Sequence, residues 1–267
     1  MDLSLSEGPV RTNRTIGLSR VQFGELPRRV EEFVIWDKGV GRPRGLTLAQ
    51  GLKATLMYFK NNVTEEVIAE LLFVSQSVIS ETISTLEAVI VKALKDFEPD
   101  LAEAAEGLAG RVAVIDGSLH PCWSWKDRKD LWSGKHKETG HQHQYVCDLA
   151  GNLRYISDPL PGKTHDAKAF RDLQLDQHFT ESNAFADKGY VGCGVTTPFK
   201  KPADGELLEW HKDFNRVVNQ HRYVIERAIA NFKTWRCMHI DYRRPLRTYP
   251  TAFSAIRSLH FFKLSFR

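Results

Sequence analysis

At Arg111 the chain changes its hydrophobic period, and this constrains the fold more than any other feature. Before it, from Thr47 to about Phe97, apolar residues recur at helical spacing. After it, Val112-Ala113-Val114-Ile115 is a short β-branched run of the kind that forms a buried strand. A chain of 267 residues has room for a small helical unit and a medium mixed one. No apolar run approaches the roughly 18 to 20 residues that span a bilayer. The opening Met1 to Glu7 lacks a basic segment followed by an apolar one. A protein without a membrane segment, located in the cytoplasm, is expected. Cys122, Cys147, Cys193 and Cys237 are scattered and read as reduced thiols.

The order of patterns divides the chain. Residues 1–45 read as a loose leader with a short helix around Leu26 to Trp36, closed by the glycine-rich breaker Gly39 to Gly45. Residues 46–100 read as a helix-turn-helix domain. Residues 98–110 read as a linker, and residues 111–267 as the second domain. In that domain the expected strands are Val112–Ile115, His143–Leu149, Leu153–Ser157 and Ala184–Ala186. A turn at Ala150-Gly151-Asn152 joins the second and third. Helices are expected from His165 to about Leu173, from about Leu207 to Trp235, and after Pro250. Strand, strand, strand, helix, strand, helix is the order of a ribonuclease-H-like core. The fold class is therefore α/β: a ribonuclease-H-like mixed sheet with flanking helices, preceded by an all-α helix-turn-helix domain.

Thr64 precedes two acids and an apolar stripe of Val67, Ile68, Leu71 and Leu72, which suits a helix start and a buried face. Phe73-Val74 breaks the pattern, and Ser75-Gln76-Ser77 opens a second helix with Ser75 as its cap and Val78, Ile79 and Ile83 facing inward. Small polar residues at such a start suit entry into a major groove. A plain two-helix hairpin has the same pattern. Net charge is +4, but from Asn231 onward eight Lys/Arg residues stand against the single acid Asp241. They form either a phosphate-neutralising face or a solvated surface.

The chemistry-bearing residues are carboxylates at separated points. Asp116 directly follows the first strand and Asp187 the fourth, strands that lie side by side in such a sheet. Two neighbouring carboxylates need a counter-cation, and hard oxygen donors select Mg²⁺ or Mn²⁺. Asn219, Arg222, Glu226 and Lys233, at offsets 0, 3, 7 and 14, fall on one helix face. Glu226 would complete a metal site, and Arg222 and Lys233 would hold phosphates; an ordinary charged helix face reads the same way. Asp166, after Pro161-Gly162, either caps a helix or faces the metal pocket. His120, His136, His141 and His143 lack the spacing of a zinc helix. Trp123, Trp125 and Trp132, among Lys126, Arg128 and Lys129, either stack on DNA or fold into their own cluster.

Taken together, Ile115-Asp116-Gly117-Ser118, the Pro161 to Asp166 turn, Ala186-Asp187-Lys188-Gly189-Tyr190 and the Asn219 to Lys233 helix resemble the DDE transposases of bacterial insertion sequences, and among them those similar to the Harbinger nucleases. The resemblance covers nearly the whole chain. It implies two divalent metals, cleavage at terminal inverted repeats, joining to double-stranded target DNA, and a homodimer or larger synaptic assembly. It makes Asp116 and Glu226 the first and last acids and leaves Asp187 or Asp166 as the middle one. One position departs: bacterial relatives often carry Tyr where Asn219 stands. The competing readings are a DNA-binding regulator without catalysis and a nuclease that cuts without joining.

Overall fold

The computed structural model describes residues 14–37, 39, 43–123 and 127–266. Its contacts form two compact units, Met1–Glu98 with Lys233–Arg267, and Pro99–Phe232.

In the first unit, α1 (Arg20–Glu31) begins earlier than the sequence pattern implied. Ser19 and Gln22 form a reciprocal capping box there, satisfying two backbone N–H groups that would otherwise be orphaned. Thr47 and Gln50 do the same for α2 (Leu48–Asn61). Thr64 caps α3 (Glu65–Leu72) by accepting from the Val67 amide. α4 (Gln76–Ala93) follows after a bend of 107°, the angle of a helix-turn-helix pair. Ser75 sits at its N-cap position, but its hydroxyl bonds to Ser77 Oγ instead of capping the helix.

The buried stripe of α3 is narrower than expected. Ile68 and Ala69 are buried, whereas Val67 and Leu71 are about half exposed, because two turns of helix present only one narrow edge to their neighbours. On α4, Ile79 and Ile83 face inward as expected and Val78 is half-buried. The turn between α3 and α4 has no glycine, and Phe73 takes the left-handed conformation (φ 55°) with its ring 78% exposed. That conformation costs an L-residue roughly 1–2 kcal/mol. Phe73→Gly is therefore expected to raise the urea midpoint by the equivalent of about 1 kcal/mol; an unchanged or lowered midpoint would mean the ring is held by contacts that offset the strain.

The core of this unit joins Leu52, Leu56 and Phe59 of α2 to Ile79, Ile83, Leu86 and Ile90 of α4, and to Phe253, Ile256 and Leu259 of α8 (Tyr249–Leu264). Each such side chain contributes about 1.5–3 kcal/mol of burial. The sequence pattern assigns everything from residue 111 to Arg267 to the second domain. Instead α8 packs on α4, because it is apolar on most of its circumference and needs cover on more than one side. Hydrogen bonds stitch the returning segment to the end of α2: Asn62 Nδ2 donates to the Asp241 carbonyl (3.0 Å), and Cys237 Sγ to the Tyr58 carbonyl (3.2 Å).

In the second unit, the expected linker contains a helix, α5 (Leu101–Glu106), capped by an Asp100–Glu103 box. β1 (Ala113–Pro121) runs antiparallel to β3 (Glu138–Asp148) in register from Ala113↔Asp148 to Pro121↔Gly140. Both strands are longer than their apolar cores suggested. On its other edge β3 pairs with β2 (Trp132–Ser133), β4 (Leu153–Ile156) and β5 (Leu160–Pro161). β6 (Ala184–Phe185) lies parallel to β1, with Ala113 opposite Ala184. The sheet is thus mixed. One face, with Ala113, Ile115 and Val146, packs on Phe170 of α6 (Asp166–Asp172) and on Tyr190. The other carries His120 and Tyr145 against Phe232, the last residue of α7 (Glu209–Phe232). α7 buries Val218, Ile225, Ile229 and Phe232, a single helical stripe. Among the described residues no single helix is long and apolar enough to cross a membrane.

Candidate active site

The β1–β6 register begins at Ala113↔Ala184, and continuing it in step sets Asp116 level with Asp187 just past the end of β6. Asp187 then caps the short turn Lys188–Tyr190, its Oδ1 accepting from the Gly189 amide at 2.6 Å. Asp166 is the first residue of α6 and is buried, with 6% of it exposed. It does not act as a side-chain cap. Its Oδ1 accepts from Gln142 Nε2 at 2.8 Å and its Oδ2 from Lys135 Nζ at 2.7 Å.

Gly117 explains how the carboxylates come so close. An ideal Cβ at Gly117 would lie 2.2 Å from Asp166 Oδ1 and 2.4 Å from Gln142 Nε2, so the second carboxylate occupies space that any other residue would fill. At Gly189 the corresponding point lies 2.7 Å from Asp187 Oδ1 and 3.1 Å from Asp166 Oδ2. Asp166 thus lies against both glycines and Asp187 against one of them, while Asp116, whose carboxylate is turned to Arg222, is near enough to feel the charge of both. The DNA cleavage that the sequence resemblance implies is expected to be lost in Gly117→Ala, with helical and sheet circular dichroism retained, since the clash falls on the Asp166 and Gln142 ends and not on backbone. Retention of more than about a tenth of the rate would mean that Asp166 can be displaced without cost.

The charges are unevenly matched. Arg222, on α7, sets Nη2 3.6 Å from Asp116 Oδ2, both side chains being 16% exposed. The Gly117 amide donates to Asp116 Oδ1 at 2.8 Å. Even so, burial pushes the Asp116 carboxyl up to about 6; Arg222 works against this, Asp187 adds to it, the Gly117 amide opposes it and Asp166 adds again. The folded state therefore holds this proton more tightly than the unfolded state. The stabilisation is present in full below about pH 4 and is lost as pH rises through about 6. Metal-free protein is expected to lose about 1–3 kcal/mol across that window from this group. Asp116→Asn should flatten that part of the pH–Tm profile and raise Tm at neutral pH; an equally steep profile in the variant would assign the slope elsewhere.

The acids differ in how far they are drawn in. Glu226 lies one helical turn beyond Arg222 on the same side of α7; it is exposed and makes no hydrogen bond or ion pair among the described residues. Asn219, one turn before Arg222, is exposed as well. Lys233 is not on the helix face where the sequence set it, because α7 ends at Phe232 and Lys233 lies in the turn that follows. Among the described residues no three His, Cys, Asp or Glu side chains stand as a ready cage for a metal. The donor set nonetheless suits a hard divalent cation. It comprises only carboxylate oxygens, and burial with mutual repulsion raises Asp116 in spite of its arginine. Ser75, Gln76 and Ser77 are exposed at the start of α4, with Gln76 also bonded to Glu65. In the aromatic loop Trp123 and Trp132 are about half exposed and Arg128 is paired with Asp130, while Trp125 and Lys126 lie outside the described residues.

The sequence reading missed Lys135, Gln142, Gln144 and Tyr190. Tyr190 donates to Gln144 Oε1 at 2.5 Å, and the Nε2 of the fully buried Gln144, close to Gly117, has no hydrogen-bond partner among the described residues. A signal was present: His141, Gln142, His143 and Gln144 form an unbroken polar run in a strand that the structure buries. Buried polar side chains need partners, so such a run marks a network.

Residues 115–260 match the DDE superfamily endonuclease family, and residues 44–96 match the helix-turn-helix of DDE superfamily endonuclease. The chain belongs to the DDE superfamily endonucleases. It is 27% identical over 225 residues to "Putative transposase for insertion sequence element IS112" of Streptomyces albus G, covering 83% of each chain. It is also 24% identical over 262 residues to "Probable transposase for insertion sequence element IS702" of Microchaete diplosiphon, covering 95% of this chain and 94% of the relative. No solved structure matches.

Proposed function

We propose that this chain is a transposase that cuts DNA at the ends of a mobile element and joins those ends to target DNA, using a ribonuclease-H-like core. The observation that carries the reading is the gathering of carboxylates at the ends of neighbouring elements: Asp166 against Gly117 and Gly189, Asp187 beside Gly189, and Asp116 within electrostatic reach of both. Family membership and the two full-length relatives support it.

In this reading Asp116, Asp166 and Asp187 hold Mg²⁺ or Mn²⁺, and Glu226 joins them from α7. When bound, the divalent ions supply a lowered water pKa and stabilise charge on the leaving oxygen. Arg222 orients the scissile phosphate. It is held at Asp116 through Nη2, and its guanidinium carries further N–H donors suited to a phosphate oxygen. Gln142 fixes the rotamer of Asp166. Ser75, Gln76 and Ser77 enter the major groove of an element end, and Asn219 and Lys233 contact the flanking backbone. Joining two ends calls for a homodimer or larger synaptic assembly.

The test is a plasmid carrying the element's own ends, incubated with Mg²⁺ or Mn²⁺ and either wild type or Glu226→Gln. Cuts at the ends with joined products, both missing in the variant, are expected. Cuts without joining would make it a nuclease only, and end binding with neither would make it a regulator.

A further inference from the structure

Lys135 lies in the turn between β2 and β3, next to Gly134, around which there is open space. Its ammonium is 2.7 Å from Asp166 Oδ2, and the contact is asymmetric: the lysine side chain is 53% exposed and the aspartate 6%. Asp166 is one of the acids of the candidate metal centre and lies against both Gly117 and Gly189. Beside Gly117 the buried Gln144 Nε2 has no hydrogen-bond partner among the described residues, so this part of the site has unused polar capacity.

The two cations at the site differ in kind. Arg222 is largely buried on a long helix. Lys135 is a compact charge on a flexible stem, entering from the solvent side from a short turn. A lysine of this sort can withdraw without unfolding anything.

We propose that Lys135 is an exchangeable counter-ion: it holds Asp166 in the metal-free protein and is displaced from Asp166 Oδ2 when a divalent cation binds. This rests on the carboxylate centre being the metal site. The consequence is that metal entry competes with an internal ion pair. That pair keeps the buried acids compatible with the fold until metal arrives.

Free Mn²⁺, measured by its electron paramagnetic resonance signal, would be titrated against the full-length protein without DNA. Wild type would be compared with Lys135→Met, Lys135→Gln and Asp116→Asn. A half-exposed ion pair of this type opposes binding by up to about fivefold. Both Lys135 variants are expected to bind Mn²⁺ more tightly by roughly that factor, and to show a larger Mn²⁺-induced rise in Tm than wild type. Unchanged or weaker affinity in both variants, with wild-type binding still lost in Asp116→Asn, would overturn the counter-ion role and leave the metal centre standing. Binding that Asp116→Asn does not affect would overturn both.

Discussion

Asp116→Asn is expected to lower the single-turnover rate of DNA cleavage by at least about a thousandfold, with little change in binding to an element end. Asparagine keeps the shape and the hydrogen bond from the Gly117 amide. In the proposed reading, what it removes is a charge that holds a divalent cation at the end of β1. It also releases Arg222 from its ion partner, so the guanidinium is free to drift from where a phosphate would need it. The variant should be at least as stable as wild type at neutral pH, since burial and two neighbouring carboxylates disfavour the ionised Asp116. Lost activity with retained or raised Tm separates a catalytic role from a structural one. A rate within about tenfold of wild type would remove Asp116 from the machinery. The measurement is cleavage of a labelled end duplex under excess protein, beside a gel-shift titration and a thermal melt of the same samples.

The largest effect on stability is expected at Arg244. This side chain is buried, donates from Nη1 to Glu87 and from Nη2 to Ser84 Oγ (2.6 Å), and sets Nε 3.2 Å from Glu65 Oε1. It thereby ties the segment after α7 to both helices of the helix-turn-helix. Burial drives the Glu87 carboxyl up to about 7 even with Arg244 pulling it down, so the acid depends on its partner to stay charged. Arg244→Ala is expected to cost about 3–5 kcal/mol, the usual effect of leaving one half of a buried pair. The paired change Arg244→Met with Glu87→Leu should recover most of that loss, because the desolvation penalty of both charges goes with them. Urea denaturation of the three proteins checks this. A loss under about 1 kcal/mol for Arg244→Ala would mean that water replaces the guanidinium and the pair adds little.

Where periodicity alone sets the element, the sequence was a good guide. Thr64 with its acids marked the start of α3, Ala150-Gly151-Asn152 marked the β3–β4 turn, and the apolar run Val112–Ile115 marked β1. Sequence misses have identifiable physical causes. Helix α5 was hidden because its signal is the Asp100–Glu103 capping box and not an apolar stripe. The basic C-terminal segment is partly drawn inward: Arg244 and Arg257 pair with Glu87 and Glu98, acids far upstream that no local charge count can match to them, while Arg236, Arg243 and Arg247 stay exposed. At the site, Asp116, Asp166 and Asp187 could be named because acids follow strands or turns. Lys135 and Gln142 could not, because what brings them to Asp166 is the strand register and the missing Cβ of Gly117. The order of Asp116 and Asp187 along neighbouring strands was legible, whereas the distance between Glu226 and those acids depends on how α7 lies across the sheet.

Whether the carboxylate centre brings a divalent metal to the scissile phosphate is tested by one phosphorothioate at the cleaved position of an element-end duplex, cut by wild type in Mg²⁺ and then in Mn²⁺. Sulfur is a poor ligand for hard Mg²⁺ and a better one for the softer Mn²⁺. Slow cleavage of the sulfur substrate in Mg²⁺ that Mn²⁺ restores is expected, with no comparable metal preference for the all-oxygen duplex. Equal cleavage of both substrates in Mg²⁺, or a sulfur effect that Mn²⁺ leaves untouched, would rule out a metal on the scissile phosphate.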